Sequence, residues 1–168
     1  FDLQVELTRR NIPFRIRSGL RFFEQRHVKD VLAHLRFVDN PRDEVSFARM
    51  MKLRQGFGPR LTARLWTRIS GANPFERLLA TEAGSVDLPA GARRSLASTR
   101  VLLGALGQDR TLGQPGEAIR LVVTDFYQDW ARGNLENAGS RLEDIEQLAL
   151  FADGFESGDL TSWSSAKP

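Results

Sequence analysis

The 168-residue sequence predicts an all-α fold with one short β-strand near its N-terminus. Apolar residues recur at helical spacing, as in Val28, Val31, Leu32 and Leu35. Asn-Pro and Pro start signals divide the chain into segments of helical length. Residues 14–17 alternate apolar and basic side chains, which is the spacing of a strand. We therefore expect a multi-helix unit that follows one short strand.

The helices are justified by their start signals. The first long helix is predicted from Arg26, and Asn40-Pro41 ends it and opens the next, with the asparagine as N-cap. Asn73-Pro74 repeats this signal, and Pro89 and Pro115 open two further helices. The helix after the last proline is predicted to bury one face, formed by Ile119, Val122, Val123, Phe126 and Trp130. A final long helix is predicted from Leu142, Ile145, Leu148, Ala149 and Ala152.

Composition narrows the class of protein. A hydrophobic content of 41% and a charged content of 27% are ordinary for a globular domain, and no apolar run is long enough to cross a bilayer. Cysteine is absent, which excludes disulfides and fits a reducing compartment. All but three of the 24 basic residues are arginine. Arginine favours phosphate binding because its planar guanidinium group can form hydrogen bonds to two phosphate oxygens at once. A genome that favours arginine in all its proteins would give the same number of arginines. The number alone therefore does not indicate phosphate binding, and the positions of the arginines decide.

Several kinds of chemistry have no motif here. The sequence contains no GxxxxGK[ST] phosphate loop, so we expect this chain to hold no ATP and to hydrolyse none. His27 and His34 have no third ligand in view, and we expect them to be surface or half-buried helix residues. We predict no catalytic residue, cofactor or metal in this chain.

The strongest local signal is a basic segment without acids between residues 50 and 69. At its centre, Gly56-Phe57-Gly58 turns the chain into a helix that begins at Pro59. Leu61, Leu65 and Ile69 form its predicted buried stripe, and the arginines form a second stripe about 100° away. Open N–H groups at a helix N-terminus bind phosphate oxygens. The candidate nucleic-acid-binding residues are Lys52, Arg54, Gly56, Phe57, Gly58, Arg60, Arg64 and Arg68. By spacing alone, an ordinary helical corner with a solvated arginine face fits equally well.

Three passages resemble the UvrD/PcrA/Rep-type superfamily 1 DNA helicases. Residues 12–36 (IPFRIRSGLRFFEQRHVKDVLAHLR) resemble the segment where that family's chain leaves motor domain 2A and enters subdomain 2B. Residues 40–49 resemble its NP-x-D-D/E-x-x-F-x-R pattern, and Gly56-Phe57-Gly58 stands at the place of its GIG helix-hairpin motif, with Phe for Ile. Residues 126–130 and 141–148 resemble the passage where 2B returns toward the motor.

The resemblance implies a division of the chain: residues 1–25 are a fragment of 2A, residues 26–155 are the helical subdomain 2B, and residues 156–168 are an unassigned polar tail. Because the first residue is Phe1 rather than Met, we expect the chain to be a piece of a longer protein. The resemblance implies that this parent is an ATP-dependent 3′→5′ DNA helicase that uses ATP and Mg²⁺ and works in the bacterial cytoplasm at the nucleoid. The resemblance leaves open whether the parent also carries a nuclease domain outside this chain.

The implied role of this chain is regulation and contact with duplex DNA or a duplex–single-strand junction, with no membrane contact. Its implied partners are the remaining motor domains of the same protein and, as a further option, repair proteins. The alternative from another class is an all-α protein-interaction module whose arginine stripe meets an acidic partner protein.

Overall fold

The computed structural model describes residues 19–81, 87–108 and 113–157. Every regular element in these ranges is a helix, which confirms the all-α prediction. The strand predicted at residues 14–17 lies outside the described residues. None of the described helices is both long enough and apolar enough to span a membrane.

The described helices follow one another through short connections. They are α1 (Gly19–Glu24), α2 (Arg26–Asp39), α3 (Glu44–Lys52), α4 (Pro59–Ile69), α5 (Pro74–Ala80), α6 (Ala90–Leu106), α7 (Pro115–Val122), α8 (Gln128–Asn134) and α9 (Ala138–Ser157). A π-helical turn (Val123–Tyr127) joins α7 to α8.

Helix α2 is the central element, because α1, α3, α6, α7 and α9 all pack against it. Its apolar residues Val28, Val31 and Phe37 are fully buried. Leu32 and Leu35, predicted on the same face, are half-buried and pack against the core. A helix that is contacted on several sides buries more than one stripe, and α2 also buries three polar side chains, described below.

The capping predictions are confirmed at one helix and wrong at another. The N-cap of α3 is Asp43 rather than Asn40, which instead ends α2. The Asp43 carboxylate accepts hydrogen bonds from the Ser46 backbone N–H at 3.0 Å and from its hydroxyl at 2.6 Å, and these bonds lower the pKa of Asp43. At α5, Asn73 is the N-cap as predicted and accepts from the Glu76 N–H at 3.4 Å.

The single apolar face predicted after Pro115 is interrupted by the π-helical turn. A π turn adds one residue to a helical repeat, so the buried positions beyond it shift by one. Tyr127 and Ala131 are therefore fully buried, whereas Phe126 and Trp130 are only half-buried. The predicted final helix is confirmed as α9, which buries Ile145, Leu148 and Ala149.

An aromatic cluster holds the first half of the fold together. The Phe37 ring on α2 lies 5.4 Å from Phe47 on α3 and 6.3 Å from Phe75 on α5, between centroids. Phe47 in turn lies 5.1 Å from Trp66 on α4. These contacts hold α3 against α4, which carries the candidate site.

A charged cluster joins α7 to α9. Arg120 donates to Asp153 at 2.8 Å and to Glu146 at 3.1 Å, both on α9. Gly116 allows this close approach, since a Cβ at this position would overlap the Asp153 carboxylate. Arg120 thus links α7 to α9 through ion pairs, and Gly116 leaves room for its partner Asp153.

Candidate nucleic-acid interface

The basic segment forms a helical hairpin. Helix α3 ends at Lys52 and α4 begins at Pro59, as the sequence predicts. Gly56 in the connecting turn has a φ of +84°, a conformation that L side chains rarely adopt. A Cβ at this position would lie 2.8 Å from the backbone nitrogen of Ala92 on α6. The turn therefore requires glycine at position 56 for its backbone conformation and for its contact with α6.

Gly58 has a different role, because it is the N-cap of α4 and has open space around it. Its φ of −90° and ψ of 174° are accessible to any residue, and no atom lies within 4 Å of a Cβ built on it. No side chain caps this helix, and its first N–H groups have no partner within the helix. The N-terminus of α4 therefore offers backbone donors to an anion that approaches from outside.

Three arginines continue along the exposed side of α4. Arg60, Arg64 and Arg68 are all exposed, and none forms an ion pair with a described residue. The opposite side of the helix buries Leu65 and Ile69, whereas Leu61 is half-buried. Because a helix rises 1.5 Å per residue, the stripe is about 12 Å long, the axial rise of three to four nucleotides in one DNA strand.

Two of the predicted site residues lie inside the fold. Arg54 is 5% exposed and Phe57 is 4% exposed. The guanidinium carbon of Arg54 lies 3.3 Å from the centroid of the Phe126 ring, which is a cation–π contact. Its Nη2 also lies 3.1 Å from Nε2 of His34. Burial lowers the pKa of Arg54 to about 9, so the side chain stays charged at pH 7.

His34 accepts the hydrogen bond from Arg54 in its neutral form. Its Nδ1 lies 3.1 Å from the carbonyl oxygen of Asp30, which can only accept, so Nδ1 carries the proton and Nε2 is free to accept from Arg54. Burial, followed by the charge of Arg54, lowers the pKa of His34 to about 3. The hairpin turn is thereby tied to α2 and to the π-helical turn at once.

The prediction that both histidines are surface or half-buried residues is wrong. His34 is 0% exposed and His27 is 2% exposed. His27 Nε2 lies 3.3 Å from the Asp144 carboxylate on α9. No group of three or more candidate metal ligands occurs in the part of the chain that the structure describes. The signal that indicates burial is in the sequence: both histidines share the apolar face of α2 with Val31, at steps of four and three.

A groove of about 640 Å³ adjoins the hairpin turn. It is lined by Lys52 and Gln55 of the hairpin, by Ser95 and Ser98 of α6, and by residues of the π-helical turn and α8. The residues from the π-helical turn and α8 are Asp125, Phe126, Asp129, Trp130 and Asn134. The hairpin and α6 therefore contribute basic and hydroxyl groups to the groove, and the π-helical turn and α8 contribute its acidic groups.

The fold and this surface define a class of protein: an all-helical unit in which a glycine turn leads into an exposed basic helix. A protein-family model described as the UvrD-like helicase C-terminal domain matches residues 1–73, which include the hairpin. The ATP-dependent DNA helicase UvrD1 of Mycobacterium tuberculosis is 29% identical over 160 residues, which cover 92% of this chain and 21% of that protein.

Two further relatives cover the same region. DNA helicase II of Haemophilus influenzae is 28% identical over 163 residues, 91% of this chain and 22% of its own length. The ATP-dependent DNA helicase PcrA of Bacillus subtilis is 24% identical over 159 residues, 92% of this chain and 21% of its own length. The chain is thus similar to the C-terminal region of UvrD-like helicases. It spans about a fifth of the length of the curated relatives it matches.

Proposed function

We propose that this chain is the regulatory and duplex-contacting subdomain of an ATP-dependent 3′→5′ DNA helicase that unwinds DNA in repair or replication. The observation that carries the proposal is the exposed stripe of Arg60, Arg64 and Arg68, which follows an uncapped helix N-terminus at Gly58. The three relatives are all named DNA helicases, which supports the proposal that this chain contacts DNA.

The contact with DNA is built from backbone and side-chain donors. A phosphate oxygen takes the place of the absent cap at Gly58 and accepts from the first N–H groups of α4, where the helix dipole also favours negative charge. Arg60, Arg64 and Arg68 then bond successive phosphates along one strand, and Lys52 adds a charge at the end of α3. These contacts position the duplex without reading its sequence.

Arg54 and Phe57 support the site from below. Because both are buried, they hold the turn in place rather than meet solvent. The Phe57 side chain fills the core under the turn, and the charged Arg54 joins the turn to His34 and Phe126. The eight residues predicted from the sequence thus divide into exposed donors, the two buried side chains, and Gly56, which the turn requires for its backbone conformation.

The regulatory part of the proposal concerns the orientation of the subdomain. We place its boundary with motor domain 2A at residues 1–25 and its return after residue 155, with residues 156–168 unassigned. The bend at Gln25 between α1 and α2 is a position where rotation can occur. ATP and Mg²⁺ bind to the motor domains of the parent at the nucleoid, and repair proteins are a further class of partner.

The test uses the full-length parent protein. Replacing Arg60 and Arg64 by Ala should weaken binding to a duplex–single-strand junction and should flatten the dependence of log Kd on log salt by about 1.8, since each phosphate contact contributes about 0.9. Binding to a plain single strand should stay unchanged. The matched control is Arg36→Ala with Arg42→Ala, two exposed arginines in the last turn of α2 and in the connection from α2 to α3.

An equal loss on the junction and on the single strand would contradict the proposal. The alternative function would then lead: a module that binds an acidic protein. One observation favours it, a cleft of about 210 Å³ between α3 and α4 that is lined by Phe47, Pro59 and Trp66 together with the charged residues Lys52 and Glu44. An apolar cleft beside a basic stripe suits an acidic peptide with one large apolar side chain.

A further inference from the structure

Acidic residues are distributed unevenly among the helices. Of the described helices, only α4 and α6 contain no Asp or Glu. Helix α6 carries Arg93, Arg94 and Arg100 in their absence. Two helices of one chain that both lack acids and carry three arginines each form a local positive potential, whatever the composition of the whole protein.

The first turn of α6 lies against the hairpin turn. A Cβ on Gly56 would lie 2.8 Å from the Ala92 nitrogen, and a Cβ on Gly91 would lie 3.9 Å from the Gln55 side chain. The two backbones therefore meet directly at this point. Because the backbones are in contact, Arg93 and Arg94 near the start of α6 keep a fixed position relative to the N-terminus of α4.

The face of α6 that turns toward the hairpin includes Arg94. Gly91 contacts Gln55, and Ser98 lines the groove beside Lys52. Arg94 lies three residues after Gly91 and four before Ser98, so it shares their face of the helix. Arg94 therefore lies next to the groove-lining Ser98 on the surface of α6.

The two arginines are available for a ligand. Arg93 and Arg94 are exposed, and neither side chain forms an ion pair or hydrogen bond with a described residue. Other arginines are engaged: Arg49 pairs with Asp30 at 2.7 Å, for example. An arginine that pairs with no carboxylate of the described residues can neutralise a phosphate, and this contact releases counterions from the nucleic acid.

The acids near this surface give the contact a direction. Asp125 and Asp129 line the groove from the π-helical turn and α8, and Asp87 is exposed before the start of α6. The carboxylates of Asp125 and Asp129 repel a phosphate backbone from their part of the groove, which leaves the exposed arginines of α4 and α6 as the favourable contact.

We propose that Arg93 and Arg94, near the N-terminus of α6, form a second phosphate anchor for the duplex, which the Gly56–Ala92 contact holds in register with the α4 stripe. The inference rests on the proposed function, because it takes the duplex that binds to the hairpin and adds α6 to the surface that binds it. The duplex backbone is held at two points on a rigid surface. The subdomain therefore fixes the orientation of the duplex axis relative to the subdomain, and not only the distance between the two.

The experiment compares double variants of the full-length parent protein in the same salt titration. Arg93→Ala with Arg94→Ala should weaken binding to a duplex–single-strand junction roughly tenfold and flatten the log–log salt slope by about 1.8. Single-strand binding should not change. Arg93→Lys with Arg94→Lys should retain most of the slope, because a phosphate accepts a point charge. The Arg36→Ala, Arg42→Ala protein is the charge-matched control.

The outcomes separate the inference from the proposed function. If the Arg60, Arg64 variant loses junction affinity and the Arg93, Arg94 variant behaves as the control, the second anchor is overturned and the proposed function stands. If neither variant differs from the control, the proposed function fails as well. An equal loss on single strand by the Arg93, Arg94 variant would also overturn the anchor. Circular dichroism of each variant establishes that the fold is retained.

Discussion

At the scale of single residues, burial decides what a charged side chain does. Arg54 and Lys52 are two positions apart in the basic segment, yet one is 5% exposed and the other lies in solvent. The sequence does not separate them, because the partners of Arg54 come from α2 and from the π-helical turn, 20 and about 70 residues away. Contacts at such separations depend on the tertiary fold and have no local pattern.

We predict that Arg54→Ala destabilises the chain by about 3 kcal/mol, because it removes a buried cation and leaves the His34 acceptor and the Phe126 face without a partner. Lys52→Ala should change the free energy of unfolding by less than about 0.5 kcal/mol. Urea denaturation of both variants measures the difference. Equal small effects would show that Arg54 does not support the turn.

A second residue-scale prediction concerns acid. The pKa of His34 is about 3 in the folded chain, against an ordinary value of 6.5 in the unfolded chain. Below pH 6.5 the unfolded state binds a proton that the folded state does not, so the stability that neutral His34 contributes is lost as the pH falls from 6.5 toward 3. The contribution of His34 to the slope approaches about 1.4 kcal/mol per pH unit.

The measurement is the free energy of unfolding between pH 6.5 and 4.5 for the natural chain and for His34→Gln, whose amide oxygen can still accept from Arg54. His27, whose pKa is also lowered by burial and by Arg141, contributes to both curves and cancels in the comparison. The variant should have the shallower slope. Parallel curves would mean that His34 titrates normally in the folded state.

At the scale of elements, helix existence could be predicted and helix detail could not. The Pro and Asn-Pro signals place the starts of α4, α5 and α7 correctly, since these residues act through local backbone geometry. The N-cap of α3 was predicted three residues early, because Asp43 competes with Asn40 and gains two bonds from Ser46. The π-helical turn has no periodic signature, so the buried face beyond it was predicted one residue out of place.

The two glycines of the hairpin turn provide an element-scale prediction. Gly56→Ala should destabilise the chain by about 2 to 3 kcal/mol, because it forces a left-handed conformation and a clash with the α6 backbone. Gly58→Ala should cost less than about 1 kcal/mol, as its conformation suits any residue. In the full-length parent, however, it should weaken junction binding several-fold, because the methyl group shields the first N–H groups of α4.

Thermal or urea unfolding measures the first effect and a junction-binding titration measures the second. Equal destabilisation by both substitutions would contradict the assignment of a structural role to Gly56. If Gly58→Ala binds the junction as the natural protein does, the N-terminus of α4 makes no close contact with phosphate.

At the scale of the whole molecule, the sequence predicted the helical class and the location of the basic surface. Both depend on features that are local in sequence: apolar periodicity, and a run of basic residues without acids. The sequence did not indicate that α6 lies against the hairpin turn, because that contact depends on packing between Gly56 and Ala92, which are 36 positions apart. It also did not reveal that α2 buries His27, Asp30 and His34 and uses each to hold a different neighbour.

The central claim is that the exposed face of α4 meets duplex DNA. The most direct measurement is site-specific photocrosslinking in the full-length parent, with a photoreactive side chain at position 64 and, as a control, at position 147, which is exposed on α9. On a duplex–single-strand junction labelled separately in each part, position 64 should give adducts with the duplex part and position 147 should give none. Adducts from position 64 only to the single-stranded tail, or none above the control, would contradict the account.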